Sequence, residues 1–273
     1  MQPTPVSATL QYLQSAEHKP VTYMLAPPGG HTWDTGCYAS TPVTIIDGRG
    51  KADAPALDRE GFQLCSAPSA MRSFGERDAI QRVYYREMEE LARAVSGARH
   101  AIVFDHLVRR RDPETPTPFG ARNGQRPGTA TRVHCDFTPA SAQRRLAIEM
   151  EAHGIRSVSR HAIVNLWRST GLPVLDAPLA VCDARTVAAS DLVAADIVYP
   201  TRTGEIFEVL HNPAHAWTYY HAMQFDEVLV FKQYDSQDGM SCFTPHAAFA
   251  HPDTPPGTPP RESIEIRCLL TFD

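Results

Sequence analysis

The stretch TRVHCD, Thr131 to Asp136, places a histidine and a carboxylate two residues apart at the end of an alternating, β-like run. Successive side chains of a strand point to opposite faces, so His134 and Asp136 leave the same face of the pleat. Downstream, short apolar runs separated by turn residues follow one another: His161 to Trp167, Leu179 to Ala184, Glu205 to Leu210, Trp217 to Tyr220, Glu227 to Tyr234 and Ser263 to Phe272. A helical pattern from about Ser141 to Ala152 interrupts them. Many short strands at near-regular spacing predict an all-β sandwich or barrel, and the form that encloses a ligand is the jelly roll, or cupin. The expected fold class is therefore mainly β with flanking helices, and residues 131–273 are its expected β core.

Upstream of this stretch the pattern is mixed. Ala8 to Glu17 reads as a short helix, and the Pro27 to Gly30 run (PPGG) breaks any regular element, so residues 1–40 are expected to form an arm over the body. Pro42 to Asp47 (PVTIID) reads as a strand closed by Gly48 and Gly50. Ile80, Val83, Tyr84, Met88, Leu91 and Val95 recur at helical spacing, and Gly97 is placed to end that helix. Ala101 to Val108 predicts a strand, and the Arg-, Pro- and Gly-rich segment Arg109 to Gly128 a mobile loop. A second Pro-rich loop, His251 to Pro260, precedes the last strand. No internal repeat divides the 273 residues, and one domain is expected.

Composition narrows the function. A formal charge of -5 and a pI near 6.2 give no basic face for nucleic acid, which leaves a small molecule as the expected partner. No apolar run approaches the roughly 20 residues that span a bilayer, and no secretion signal opens the chain, so a cytoplasmic protein without a membrane partner is expected. The six cysteines are scattered with no Cys-x-x-Cys pair, as reduced thiols would be. An N-terminal arm and an interrupted β surface make a homodimer an expectation as well.

His134 and Asp136 need one more histidine to complete a two-His-one-carboxylate triad, which leaves metal positions open for co-substrate and oxygen. His246 (FTPHAAF) is the preferred third ligand because it lies between two expected strands, and His251, in a turn before Pro252, is the alternative. His211 and His215 (HNPAH) lie four apart, but Pro213 argues against a helix there and no glutamate follows the first histidine. They read as structural residues. An open iron(II) site needs a co-substrate that supplies electrons, and 2-oxoglutarate does so while its far carboxylate requires a cation. Arg261, with Ser263 on the same face, is placed for that pairing, and Arg267 lies further along the same strand.

Seven segments in order carry a family resemblance: VTIIDGRG (43–50), LDREGFQL (57–64), VFDHLVRR (103–110), VHCDFTPASAQRR (133–145), NLWR (165–168), DEVLVFKQYDS (226–236) and PRESIEIR (260–267). Together they resemble the CmcJ/NvfI/AsaB-type hydroxylase/desaturase family over nearly the whole chain. The resemblance implies a double-stranded β-helix, non-haem iron, 2-oxoglutarate and O2. It also implies oxidative tailoring of secondary metabolites by hydroxylation, desaturation or ring formation. It carries His134 and Asp136 onto the family's His-x-Asp pair, His246 onto its distal histidine and Arg261 onto the arginine before the last strand. Ala247 stands where the family has threonine. Lys232 and Arg168 lie in resembling segments and are further candidates for a carboxylate, while Trp167, Trp217, Tyr219 and Tyr220 offer aromatic pocket walls. The competing readings are a cupin-like protein that binds a metal or small ligand without catalysis, and a zinc hydrolase using the same three ligands.

Overall fold

The expected helix over Ala8 to Glu17 is a strand. In the computed structural model, which describes residues 5–30, 32–49, 51, 53–112 and 128–273, β1 (Pro5–Ser15) pairs antiparallel with β3 (Cys37–Asp47), Pro5 opposite Ile46 and Ser15 opposite Cys37. Val6, Leu10, Tyr12 and Leu13 are buried by that pairing. The sequence in isolation allows a helix, but partner strands override so short a pattern. Residues 5–15 thus belong to the body and are not an arm lying over it. Most of the loop expected from Arg109 to Gly128 falls outside the described residues.

Two sheets face one another. The larger runs in the order β1, β3, β11 (Trp217–Tyr219), β8 (Leu179–Cys182), β13 (His246–Ala248), β6 (His134–Cys135), β10 (Thr203–Val209), β9 (Leu192–Val198) and β2 (Val21–Tyr23). The smaller runs β4 (Phe62–Ser66), β12 (Glu227–Asp235), β7 (His161–Ser169), β14 (Glu262–Thr271) and β5 (His100–Arg110). Both sheets draw strands from before residue 131, so the β structure is not confined to 131–273. The side-chain bonds from Asp136 to Asn165 and Arg267, and the packing of Phe231 on His246, join the two inner faces. This is a jelly roll.

β7 and β14 read as almost unbroken apolar runs because both of their faces are covered. Val164 and Leu166 of β7, with Ile264, Ile266 and Cys268 of β14, pack outward beneath a helix, while Trp167 packs inward with Leu179, Val181 and Phe231. That outer helix comprises α1 (Arg77–Ala79), a π-helical turn (Ile80–Tyr84) and α2 (Tyr85–Ser96), ended by Gly97 at φ 70°. Ile80, Tyr84, Met88 and Ala92, four residues apart, form the buried stripe. Each of the larger ones contributes about 1.5–3 kcal/mol on leaving water. Val83, expected on that stripe, is exposed, because side chains every fourth residue already fill the contact face. All six cysteines are free thiols.

Candidate active site

β6 is only two residues long, but it sits between β13 and β10, with His134 opposite both His246 and Glu208. The chain leaves it at Asp136 and is turned into α3 (Pro139–His153) by a capping box: the Thr138 hydroxyl accepts from the Ser141 amide while the Ser141 hydroxyl accepts from the Thr138 amide. Pro139 at the first turn and Gly154 at φ 65° fix the ends of the helix. These local choices aim His134 and Asp136 into the space between the sheets.

His134, Asp136 and His246 form a buried cluster in which one ligating atom from each lies within 4.8 Å of the others. The imidazole centroids are 4.3 Å apart, and His134 Nε2 lies 3.5 Å from Asp136 Oδ1. Nδ1 of His134 reaches the Arg132 carbonyl at 2.8 Å, and Nδ1 of His246 reaches the Thr244 carbonyl at 3.3 Å. A carbonyl only accepts, so a proton on each Nδ1 satisfies those bonds and leaves each Nε2 lone pair facing the cluster. Burial and the neighbouring His134 push the His246 imidazole down to about 3, so it is neutral, as a metal ligand must be.

Asp136 is held by three groups. Its Oδ2 accepts from Asn165 Nδ2 at 2.7 Å and from Arg267 Nε at 2.9 Å, while its amide donates to Gln233 Oε1 at 2.6 Å. Burial alone would raise the carboxyl, but Arg267 and the two imidazoles outweigh it and hold the acid well below the usual carboxylate range. Oδ1 remains directed at His134. Arg267 also donates to Asp105 and Glu265 at 3.0 Å each. It braces the cluster's carboxylate and is not a surface arginine.

Arg261, just ahead of β14, is buried, donates to the Ala177 carbonyl and lies 5.3 Å from the centre of the Trp167 ring. Its Nε and the Ser263 hydroxyl, both buried, have no hydrogen-bond partner among the described residues. Burial, with Arg109 nearby, pushes the Arg261 guanidinium down to about 9 despite Asp176 and Glu265. Two buried donors without a partner among the described residues fit a carboxylate brought in by a ligand.

Lys232 and Arg168 do not join this group, for a reason of strand period. Phe231 packs on His246 and Gln233 bonds Asp136, so Lys232 between them faces away, where its Nζ binds Asp58 at 2.6 Å and Asp235 at 2.9 Å. Asn165 and Trp167 face inward, so Arg168 points to the helix side, beside Phe225 at 4.8 Å and Tyr84 at 5.7 Å. His251, the alternative third ligand, accompanies Tyr219 at 3.0 Å and does not join the cluster, and His215 bonds Asp191 and Tyr12. Ala247 faces away from the cluster into a core with Ala180, Cys182 and Phe249, so the missing threonine does not touch the third ligand. Of the four aromatic candidates, Trp167 and Tyr220 face the inner core with Phe231, while Trp217 and Tyr219 pack in the core behind the large sheet. Asn165 and Gln233 were not picked out from the sequence, although both lie in the segments that carry the resemblance.

A jelly roll with a His-x-Asp pair and a distal histidine between its sheets defines the class of non-haem iron oxygenases. Comparison narrows the class. A family profile described as an oxidoreductase/YMDC permease-like domain matches residues 10–271; among the described residues, no helix is long and apolar enough to cross a membrane. Hydroxylase/desaturase efuI of Hormonema carpetanum is 34% identical, with 86% of this chain and 85% of that protein covered. The Fe(II)/2-oxoglutarate-dependent dioxygenase nvfI of Aspergillus novofumigatus is 32% identical over 91% and 89%. The solved structure of the iron and alpha-ketoglutarate-dependent endoperoxidase NvfI superposes with a TM-score of 0.83 at 28% identity, covering 98% of each chain. The chain belongs to the hydroxylase/desaturase family of Fe(II)/2-oxoglutarate-dependent oxygenases.

Proposed function

We propose that His134, Asp136 and His246 hold the iron, that Arg261 and Ser263 receive the far carboxylate of 2-oxoglutarate, and that the enzyme oxidises a small organic substrate by hydroxylation or desaturation. The observation that carries this reading is the cluster itself: two Nε2 lone pairs and one carboxylate oxygen converge, each fixed from behind by a hydrogen bond. Three protein ligands on one side leave the opposite positions open. When bound, the iron would let O2 act as the oxidant, with two electrons coming from 2-oxoglutarate as it is oxidised to succinate and carbon dioxide and two from the organic substrate.

The chain's own residues orient and exclude. Arg267 and Asn165 keep Asp136 ionised and turned toward the histidines. Leu229, Phe231, Val181 and Trp167 pack beside the cluster and keep bulk water from that side. Arg261 and Ser263 give the co-substrate a fixed orientation, so that its far end is gripped before a substrate carbon is presented.

The test needs no substrate. Anaerobic addition of iron(II) and 2-oxoglutarate should give the visible charge-transfer band of the chelate, which zinc does not give. His134→Ala and Asp136→Ala should each remove the band. A band that survives in both variants would refute the assignment.

A further inference from the structure

A cleft of about 270 Å³ opens on the Asp136 side of the cluster, between the β9–β10 hairpin, the start of α3 and the middle of β5. Asp136 and Arg267 close its inner end. Phe104, Phe137, Ile197 and Ile206 make its walls apolar. Arg144, Arg145 and Arg202 line it as well, and these three cations are not equally neutralised.

Arg145 is committed to Glu149 at 3.0 Å and lies over the Phe104 ring at 4.5 Å. Among the described residues Arg144 pairs only with Glu205, at 3.9 Å, and Glu205 is already bound by Lys19 at 2.6 Å and by the Thr138 hydroxyl. Arg202 is stacked on Tyr199 at 4.2 Å and makes no ion pair among the described residues. A tight turn, Tyr199 amide to Arg202 carbonyl at 2.9 Å, fixes that stack, and Gly204 lies beneath it, where an added Cβ would meet both side chains at 3.6 Å. The other two acids of the cleft, Asp105 and Asp136, are both held by Arg267. The entrance therefore keeps a surplus of positive charge above apolar walls.

We propose that this cleft admits the substrate and selects an organic acid with a flat apolar body. Its carboxylate pairs with Arg202 on the Tyr199 ring, with Arg144 alongside, and its hydrocarbon lies on Phe104, Phe137 and Ile206 beside the Asp136–Arg267 pair. A guanidinium backed by an aromatic face is pre-organised for a planar anion. A cationic substrate would meet like charge at the entrance. The inference rests on the metal assignment above and adds a substrate class to it.

The test uses 2-naphthoic acid and the neutral 2-naphthylmethanol as probes, titrated calorimetrically into anaerobic protein loaded with iron(II) and 2-oxoglutarate. The acid should bind about tenfold more tightly than the alcohol, as one charge-assisted pair provides. Arg202→Gln should bring the acid down to the level of the alcohol while leaving 2-oxoglutarate affinity and the anaerobic band intact, and Tyr199→Leu should weaken both probes. Absent acid binding, equal binding of acid and alcohol, acid binding untouched by Arg202→Gln, or competition between the acid and 2-oxoglutarate would each overturn the proposal. Failure of the metal assignment looks different: the wild-type band itself is missing.

Discussion

At the scale of single residues, the site depends on groups that touch no metal. Arg267 and Asn165 both donate to Asp136 Oδ2, so removing either loosens the ligand without deleting it. Arg267→Gln should lower iron(II) affinity by about 10–100-fold in a chelator competition, the usual cost of losing such a supporting bond. Arg261 and Arg168 are both buried arginines with nitrogens that find no hydrogen-bond partner among the described residues, but of the two only Arg261 lies on the inner face. Arg261→Gln should raise the dissociation constant for 2-oxoglutarate at least about tenfold, the value of one charge-assisted bond. Arg168→Met should leave that constant unchanged. Because it replaces a buried cation that pairs with no acid among the described residues, it should also leave stability unchanged or raise it in urea unfolding. A weakened 2-oxoglutarate affinity in Arg168→Met would return that residue to the site.

Elements carry the aim of those residues. His134 and Asp136 share a face because they are two apart, but β6 is too short to hold a direction alone. The capped start of α3 finishes the task, since Thr138 anchors the helix two residues beyond Asp136 and also bonds Glu205 of β10. Thr138→Ala should cost about 1 kcal/mol of stability, measured by chemical unfolding, as for other lost caps. Loss of iron affinity should accompany it. Strand period likewise explains why Lys232 and Arg168 point away from the cluster: both lie in segments rich in residues that face it, but one position out of phase with Phe231, Gln233 and Trp167.

On the scale of the whole molecule, buried ion pairs tie distant segments together. Asp235 at the end of β12 binds Arg160 at 2.8 Å and Lys232 at 2.9 Å, and Lys232 in turn reaches Asp58 ahead of β4. Burial tends to raise the Asp235 carboxyl, but the two cations lower it below its ordinary value. A depressed folded value means that the stabilisation is complete above the unfolded carboxylate pKa of about 3.9, and is lost as pH falls through the folded value. Urea midpoints should therefore be level near neutrality and decline below about pH 4. Asp235→Asn should be less stable at neutral pH and show a shallower acid decline.

The sequence by itself determined the period of the strands, the helix ended by Gly97, the His-x-Asp pair and, through ordered motifs, the family. These are local or linear signals: a side chain's face follows from parity, and a ligand pair two residues apart needs no knowledge of the rest of the chain. Only the tertiary structure decided that Pro5–Ser15 is a strand, because its partner lies at Cys37–Asp47 and pairing outweighs a short helical pattern. It also decided what surrounds the cluster. His134, Asn165, His246 and Arg267 come from four strands in two sheets. Their hydrogen bonds to Asp136 or pairing with one another depend on register and on the packing of one sheet against the other, which no spacing along the chain encodes.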